Sequence, residues 1–250
     1  MAPPSGGWVD AGSRRSGRVV PPVEYPSSDG NRMAENTVQF DWIVTLKQNI
    51  DAAVADFVAG DLLWYPVEGD NKTRAAPDVM VAFGRPKGPR SSYMQWVEEG
   101  IAPQVVMEVT SPGNRAAEMR NKLAFYERFG VQEYYVYDPD HNRLEGYLRE
   151  GEQLRPIPMQ DHVSPRLGIR FHLEGDTLAV YHRDGRRFKD AKETWEAART
   201  AEEATARAQA ESARAQAESA RAQAESARAQ AAEAELEALK AKLRALGISP

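Results

Sequence analysis

The sequence predicts an α/β fold, a mixed sheet flanked by helices, followed by one long C-terminal helix. Three observations predict it. An amphipathic helical run opens the patterned region, short β-rich segments alternate with a second helical run, and a seven-residue unit repeats through the tail. The 250 residues suffice for one sizeable domain plus an appendage.

Residues 1–32 are rich in Pro, Gly, Ser and Arg and lack an apolar period, so they read as a disordered or extended N-terminal arm. The patterned domain is expected over residues 33–185. From Ala34 to Ala59, the residues Val38, Trp42, Leu46, Ile50, Val54 and Phe57 fall four and three apart, which describes one face of a long helix closed by Gly60. The period then changes. "LLWYPV" (62–67), "DVMVAF" (78–83), "QVVMEV" (104–109) and "EYYVYD" (133–138) are short, rich in Val, Tyr and Phe, and bounded by Gly, Pro or Asp, as strands covered on both faces are. Between the last two, Asn114 suits an N-cap, Met119, Leu123, Tyr126 and Phe129 lie along one helix face, and Gly130 stops the helix. "RLEGYLRE", "GIRFHLEG" and "TLAVYH" predict further strands joined by hairpin-like turns.

The tail, residues 190–247, repeats "ARAQAES" with Arg207, Arg214, Arg221 and Arg228 in register. Alanine has the best helix propensity, and the pairs Glu211 with Arg214 and Glu218 with Arg221 add charge support, so one helix should run from about Lys189 to Leu246. Its alanines form a four-three seam of coiled-coil spacing, which buries little surface. Leu236, Leu239, Leu243 and Leu246 form a stronger stripe on a nearly opposite face, so a homo-oligomer anchored by the terminal leucines is expected. A solvated single helix is the alternative.

The composition narrows the chemistry. With no cysteine, disulfide frameworks and thiolate metal sites are excluded. A net charge of −5 argues against a surface coated throughout by nucleic acid, while leaving room for a local basic groove. No run is apolar enough to cross a bilayer, so no membrane partner and a cytoplasmic location are expected. The four histidines lack metal-ligand spacing, and the prolines of "GRPKGPR" (84–90) forbid a phosphate-binding strand-to-helix turn.

Asp78 starts one apolar strand, Glu108 lies near the end of another, and Lys122 sits at the margin of the following helix's buried face. A carboxylate taken out of water needs a partner. Mg²⁺ is one such partner, because it takes one or two protein carboxylates, keeps several waters and binds phosphate oxygens; Mn²⁺ is another. Two acids and a lysine suffice for phosphodiester cleavage. Two readings stay open on the residues alone: a metal site, or a turn-capping Asp78 beside a structural Glu108–Lys122 ion pair. Tyr126, one turn beyond Lys122, reads as core packing with its hydroxyl near the site. Lys72, Arg74, Arg85, Lys87 and Arg90 are candidate DNA contacts that would place positive charge around the acids, or a solvated basic loop.

In order along the chain, "YPSSDGNRMAEN", "APDVMVAFG", "VVMEVTSPGNR", "NKLAFYERFGVQEYYVYDP" and the Ala/Arg/Glu-rich tail resemble the Uma family of predicted restriction endonucleases, a branch of the PD-(D/E)XK nuclease superfamily. The resemblance covers roughly residues 25–185. It implies a restriction-endonuclease-like fold and a metal-dependent DNA endonuclease with Asp78 and Glu108 as metal ligands and Lys122 as the third catalytic residue. In the superfamily pattern a lysine stands two residues after the second acid, where this chain has Thr110; Lys122 matches the position to which relatives move that charge. The resemblance also implies an accessory role for Glu35, which is expected to open the first helix. The competing expectation is a catalytically silent nuclease-fold interaction module that self-associates or recruits a partner through its tail. RNA as substrate is a third.

Overall fold

The computed structural model describes residues 23–28, 30, 33–114 and 116–245. Most of the arm expected over 1–32 therefore lies outside the described residues. Of its described part, the Glu24 carbonyl accepts from Asn71 Nδ2 (2.8 Å), the Pro26 carbonyl accepts from the Tyr65 hydroxyl (2.7 Å), and the Tyr25 ring meets those of Tyr65 and Trp96. The chain divides into two compact units with the boundary between Phe188 and Lys189.

The first unit opens with α1 (Thr37–Ala53), capped by the Asn36 side chain on the Gln39 N–H. It buries Gln39, Ile43, Leu46 and Ile50, so the apolar stripe is displaced by about one residue from that predicted, and Val38 is exposed. The helix also stops earlier than expected. Val54 is extended, and Asp56–Ala59 forms β1 rather than the final turns, because Phe57, Val58 and Ala59 pair with a neighbouring strand.

After β1 come β2 (Trp64–Tyr65), β3 (Val79–Pro86), β4 (Tyr93–Met94), β5 (Val105–Val109), α2 (Ala116–Arg128), β6 (Glu133–Asp138), β7 (Arg143–Glu150), β8 (Gln153–Ile157), β9 (Arg170–Glu174) and β10 (Thr177–Tyr181). Six strands form a mixed sheet in the order β1-β3-β5-β6-β7-β8, in which β5 and β6 are parallel and the other pairs antiparallel. A crossover helix, α2, joins the parallel pair, as parallel strands require. β8 holds Pro156, which an edge strand tolerates.

Alternation along the central strands sends side chains to two cores. Val79, Val81, Val105, Met107 and Val109 pack with Ile43, Leu46 and Ile50 of α1, and Phe171, Leu178 and Val180 of β9 and β10 join them. Met80, Ala82, Val106 and Tyr134 face the other way, toward Tyr126 of α2. β5 is therefore buried along its whole length, and Glu108 shares the face of Val106.

The second unit is α3 (Ala191–Ala245), begun by a capping box in which Asp190 accepts from the Glu193 N–H (2.7 Å) and Glu193 accepts from the Asp190 N–H (3.0 Å). None of its residues is buried. Among the described residues its ion pairs are Arg199–Glu203 (3.6 Å) and Lys240–Glu237 (2.9 Å); the pairs expected within the repeat do not form. Leu246 lies outside the described residues. No described helix is long and apolar enough to cross a membrane.

Candidate active site

Sheet register builds the site. β3 and β5 are antiparallel with Val79 opposite Met107 and Met80 opposite Val106, so the residue preceding β3, Asp78, comes opposite Glu108. Directly opposed residues project to the same face, here the face covered by α2. Asp78 is 8% and Glu108 2% exposed.

Each carboxylate is oriented by its surroundings. Asp78 Oδ2 accepts from the Val109 N–H at 2.7 Å. Glu108 Oε2 accepts from Lys122 Nζ at 2.8 Å, and Oε1 accepts from the Tyr126 hydroxyl at 2.5 Å. Lys122 and Tyr126 stand four residues apart on α2, the spacing that stacks side chains on one helix face. The Tyr126 hydroxyl, expected near the site, fixes one oxygen of Glu108.

Burial and the adjacent Glu108 carboxylate hold the Asp78 carboxyl well above the usual carboxylate range. Burial alone would lower the Lys122 ammonium; Glu108 and Asp78 outweigh it and raise its pKa above the ordinary lysine value. The two acids thus favour the ammonium form of Lys122.

A cavity of about 650 Å³ opens beside the pair, with Glu35, Asp61, Asp78, Glu118 and Lys122 among its walls. Acids outnumber the single lysine there. Glu35 lies just before the N-cap rather than inside α1, and Ser111 Oγ donates to its carboxylate. Close by, Gly113 leaves space that a Cβ would take from the Glu35 carboxylate.

Gln39, Asp61 and Glu118 were not predicted. Gln39, on the buried face of α1, accepts from the Glu35 N–H (2.8 Å) and donates to the Val109 carbonyl (2.7 Å), tying the helix start to the end of β5. A polar residue one turn before Ile43 on an apolar face is the signal that marks it. Asp61 is delivered by the turn after β1, where its N–H donates to the Pro77 carbonyl (3.0 Å).

Other predicted residues stand elsewhere. Thr110 donates its N–H to the Tyr137 carbonyl (2.8 Å) and lines a different cavity, so no side-chain charge stands two residues after Glu108. Arg85, Lys87 and Arg90 do not surround the acids. Arg85 is the penultimate residue of β3 while Asp78 precedes the strand, which separates them by about 23 Å along an extended strand. Their charges are also engaged: Arg85 pairs with Glu98 and Glu99 (both 2.9 Å), Arg90 with Glu98 (2.7 Å), and Lys87 with Asp51 (2.7 Å). Lys72 is exposed and Arg74 donates to the Asn71 carbonyl (3.2 Å); neither lines the acid cavity.

The charged donors are carboxylates, with the amides of Gln39 and Asn114 beside them and neither histidine nor cysteine in the lining, which suits a hard divalent cation. Among the described residues no three His, Asp or Glu side chains converge closely enough to hold a metal by themselves. The residues present therefore fit a cation that takes one or two protein carboxylates and completes its shell with water and phosphate, the habit of Mg²⁺.

No curated protein matches the chain. A crystal structure described as "a putative nuclease belonging to DUF820", from Anabaena variabilis ATCC 29413, is similar at a TM-score of 0.40 and 16% identity, over 52% of this chain and 72% of that one. The model of the Uma2 family, described as "Putative restriction endonuclease", matches residues 34–181, more than half of the chain, and the chain belongs to that family.

Proposed function

We propose that the protein is a Mg²⁺-dependent endonuclease that hydrolyses DNA phosphodiester bonds, with Asp78 and Glu108 as cation ligands and Lys122 as the third catalytic residue. The observation that carries this reading is the direct opposition of two buried carboxylates beside a lysine ammonium, with Asp78 and Lys122 lining an acid-rich cavity. A cation held there supplies an activated water and neutralises charge at phosphorus. Lys122, kept protonated by the acids, stabilises the developing negative charge of the phosphate. Tyr126 and the Val109 N–H hold one oxygen each of Glu108 and Asp78, and Gln39 fixes the Val109 carbonyl, so the ligands are oriented before substrate arrives. The family's printed description supports DNA as the substrate class. Self-association through α3 belongs to the same proposal, supported by Leu236 and Leu239, which are 52% and 57% exposed.

A second reading, a catalytically silent interaction module, is favoured by one observation: both oxygens of Glu108 are already hydrogen-bonded by the protein. Incubation of purified full-length protein with supercoiled plasmid and Mg²⁺ or Mn²⁺ separates the two. The nuclease reading expects nicking or cutting that Asp78→Ala and Glu108→Ala each abolish. Cleavage surviving both substitutions contradicts the assignment, and inert wild-type protein supports the module.

A further inference from the structure

A second cavity, of about 430 Å³, opens on the same face of the sheet, between the first half of α2 and strands β6 and β7. Its volume is that of a small-molecule site and far beyond the share of one water. Asn114 lines both this cavity and the acid cavity, and Thr110 and Ser111, directly after β5, line the new one. The two spaces are therefore neighbours across the start of α2.

Its walls are of mixed character. Met119 and Leu123 of α2 face Val136, Tyr134 and Tyr147, whose two rings stack at 5.6 Å and 24°. Among the described residues the Tyr134 hydroxyl is the buried side-chain polar atom without any hydrogen-bond partner, although Tyr134 is only 1% exposed. Buried hydroxyls are nearly always partnered, so an orphan on a cavity wall marks where a ligand atom is missing. A phenol hydroxyl both donates and accepts. The wall also carries the carboxylates Asp138, Asp140 and Glu145, of which Arg143 pairs with Asp138 and Glu145, and Arg120, without an ion pair among the described residues, is the cation left for phosphate.

We propose that this cavity is a nucleobase subsite, taking the base next to the phosphate engaged at Asp78 and Glu108, with the Tyr134 hydroxyl bonded to the base edge and Tyr147 and Leu123 packing its faces. Only the polymeric source of the base rests on the nuclease reading. An aromatic wall rimmed by polar groups, Thr110, Ser111, Asn114, Asp138 and Glu145 among them, suits a heterocycle, because every base has a π-face and polar edge atoms. A base in the cavity is out of its duplex stack, so the subsite selects unpaired or extrudable positions.

The test uses the full chain without divalent metal, so that no cleavage occurs. Binding of the four deoxynucleoside monophosphates is compared with base-free deoxyribose 5-phosphate. At least one monophosphate is expected to bind tenfold or more tightly than the sugar phosphate, and Tyr134→Phe, which keeps the ring, and Val136→Trp, which fills the cavity, should each erase that preference. An oligodeoxynucleotide carrying one abasic position, walked along the strand, should lose about tenfold in affinity at one position with wild-type protein and at none with Val136→Trp. Equal binding of monophosphates and sugar phosphate overturns the subsite, whatever the protein cleaves. Base-dependent monophosphate binding without an abasic penalty overturns the DNA strand as its source. Loss of cleavage alone bears only on the nuclease reading.

Discussion

Glu108 and Glu133 are buried to the same degree, each 2% exposed, at opposite ends of the parallel pair β5 and β6. Glu133 accepts from the Ser164 hydroxyl, from the Tyr135 hydroxyl (2.9 Å) and from the Arg166 N–H (2.7 Å). All three donors are neutral, and two come from the chain between β8 and β9, so this carboxylate pins a loop to the sheet. Glu108 accepts from one neutral donor and one ammonium, and a second buried acid stands directly opposite. Burial alone therefore does not mark a site. The second acid beside it, and the cavity that Asp78 and Lys122 line, do.

The comparison predicts opposite outcomes for matched substitutions. Glu108→Gln should cut DNA cleavage by at least about 10³-fold while changing stability by about 1 kcal/mol or less, since the amide still accepts from Tyr126 and the repulsion with Asp78 is gone. Glu133→Ala should leave turnover per folded molecule intact but orphan three donors, at a cost of about 3 kcal/mol or more and a melting temperature lower by about 6–12 °C. Equal loss of activity in both variants, after correction for folded fraction, would erase the distinction.

Lys122→Met sharpens it. Cleavage should fall by about 10²-fold, because the cation that offsets developing charge is removed, and the melting temperature should fall as well, since two facing carboxylates lose their counter-ion. A variant that cuts as fast as wild type would reduce Lys122 to an ion-pair partner.

The two ends of β3 make a similar contrast. At the Arg85 end every charge is matched, so Arg85→Ala should leave the salt dependence of DNA binding unaltered and lower stability, whereas Lys72→Ala should reduce the salt slope by about one if that exposed lysine meets a phosphate. The smallest effect is on acid stability. Hydrogen bonds from Arg90, with Arg85 assisting, hold the Glu98 carboxyl below its ordinary range. A folded value below the unfolded one gives stability that is complete above the ordinary glutamate pKa and is lost as pH falls through the depressed value. Urea unfolding of wild type and Glu98→Gln should therefore converge as pH drops below about 4.5.

Much of the fold was legible because periodicity survives in its central elements. β5, β6, β7, β9, β10, α2 and the long α3 fall where the pattern puts them. The first helix was overextended because Val54 and Phe57 continue the four-three spacing by coincidence, while the pairing that makes Asp56–Ala59 a strand is made with β3, far along the chain. β8 was hidden by Pro156, β4 holds only two residues, and the strand expected over 62–67 is reduced to Trp64–Tyr65. In the candidate site, the acids in apolar runs were conspicuous as residue types. Gln39, Asp61 and Tyr134 were not, since each owes its place to tertiary contacts. The same holds for the basic loop: nothing local in "GRPKGPR" reveals that Glu98 and Asp51 neutralise it.

Calorimetric titration of Mg²⁺ and of Mn²⁺ into the full-length protein tests the central claim, that Asp78 and Glu108 share a divalent cation. Saturable binding by wild type, lost in both Asp78→Asn and Glu108→Gln while each variant melts as a folded protein, is the expected result. A wild-type protein that takes up neither ion, or variants that bind as well as wild type, would contradict it.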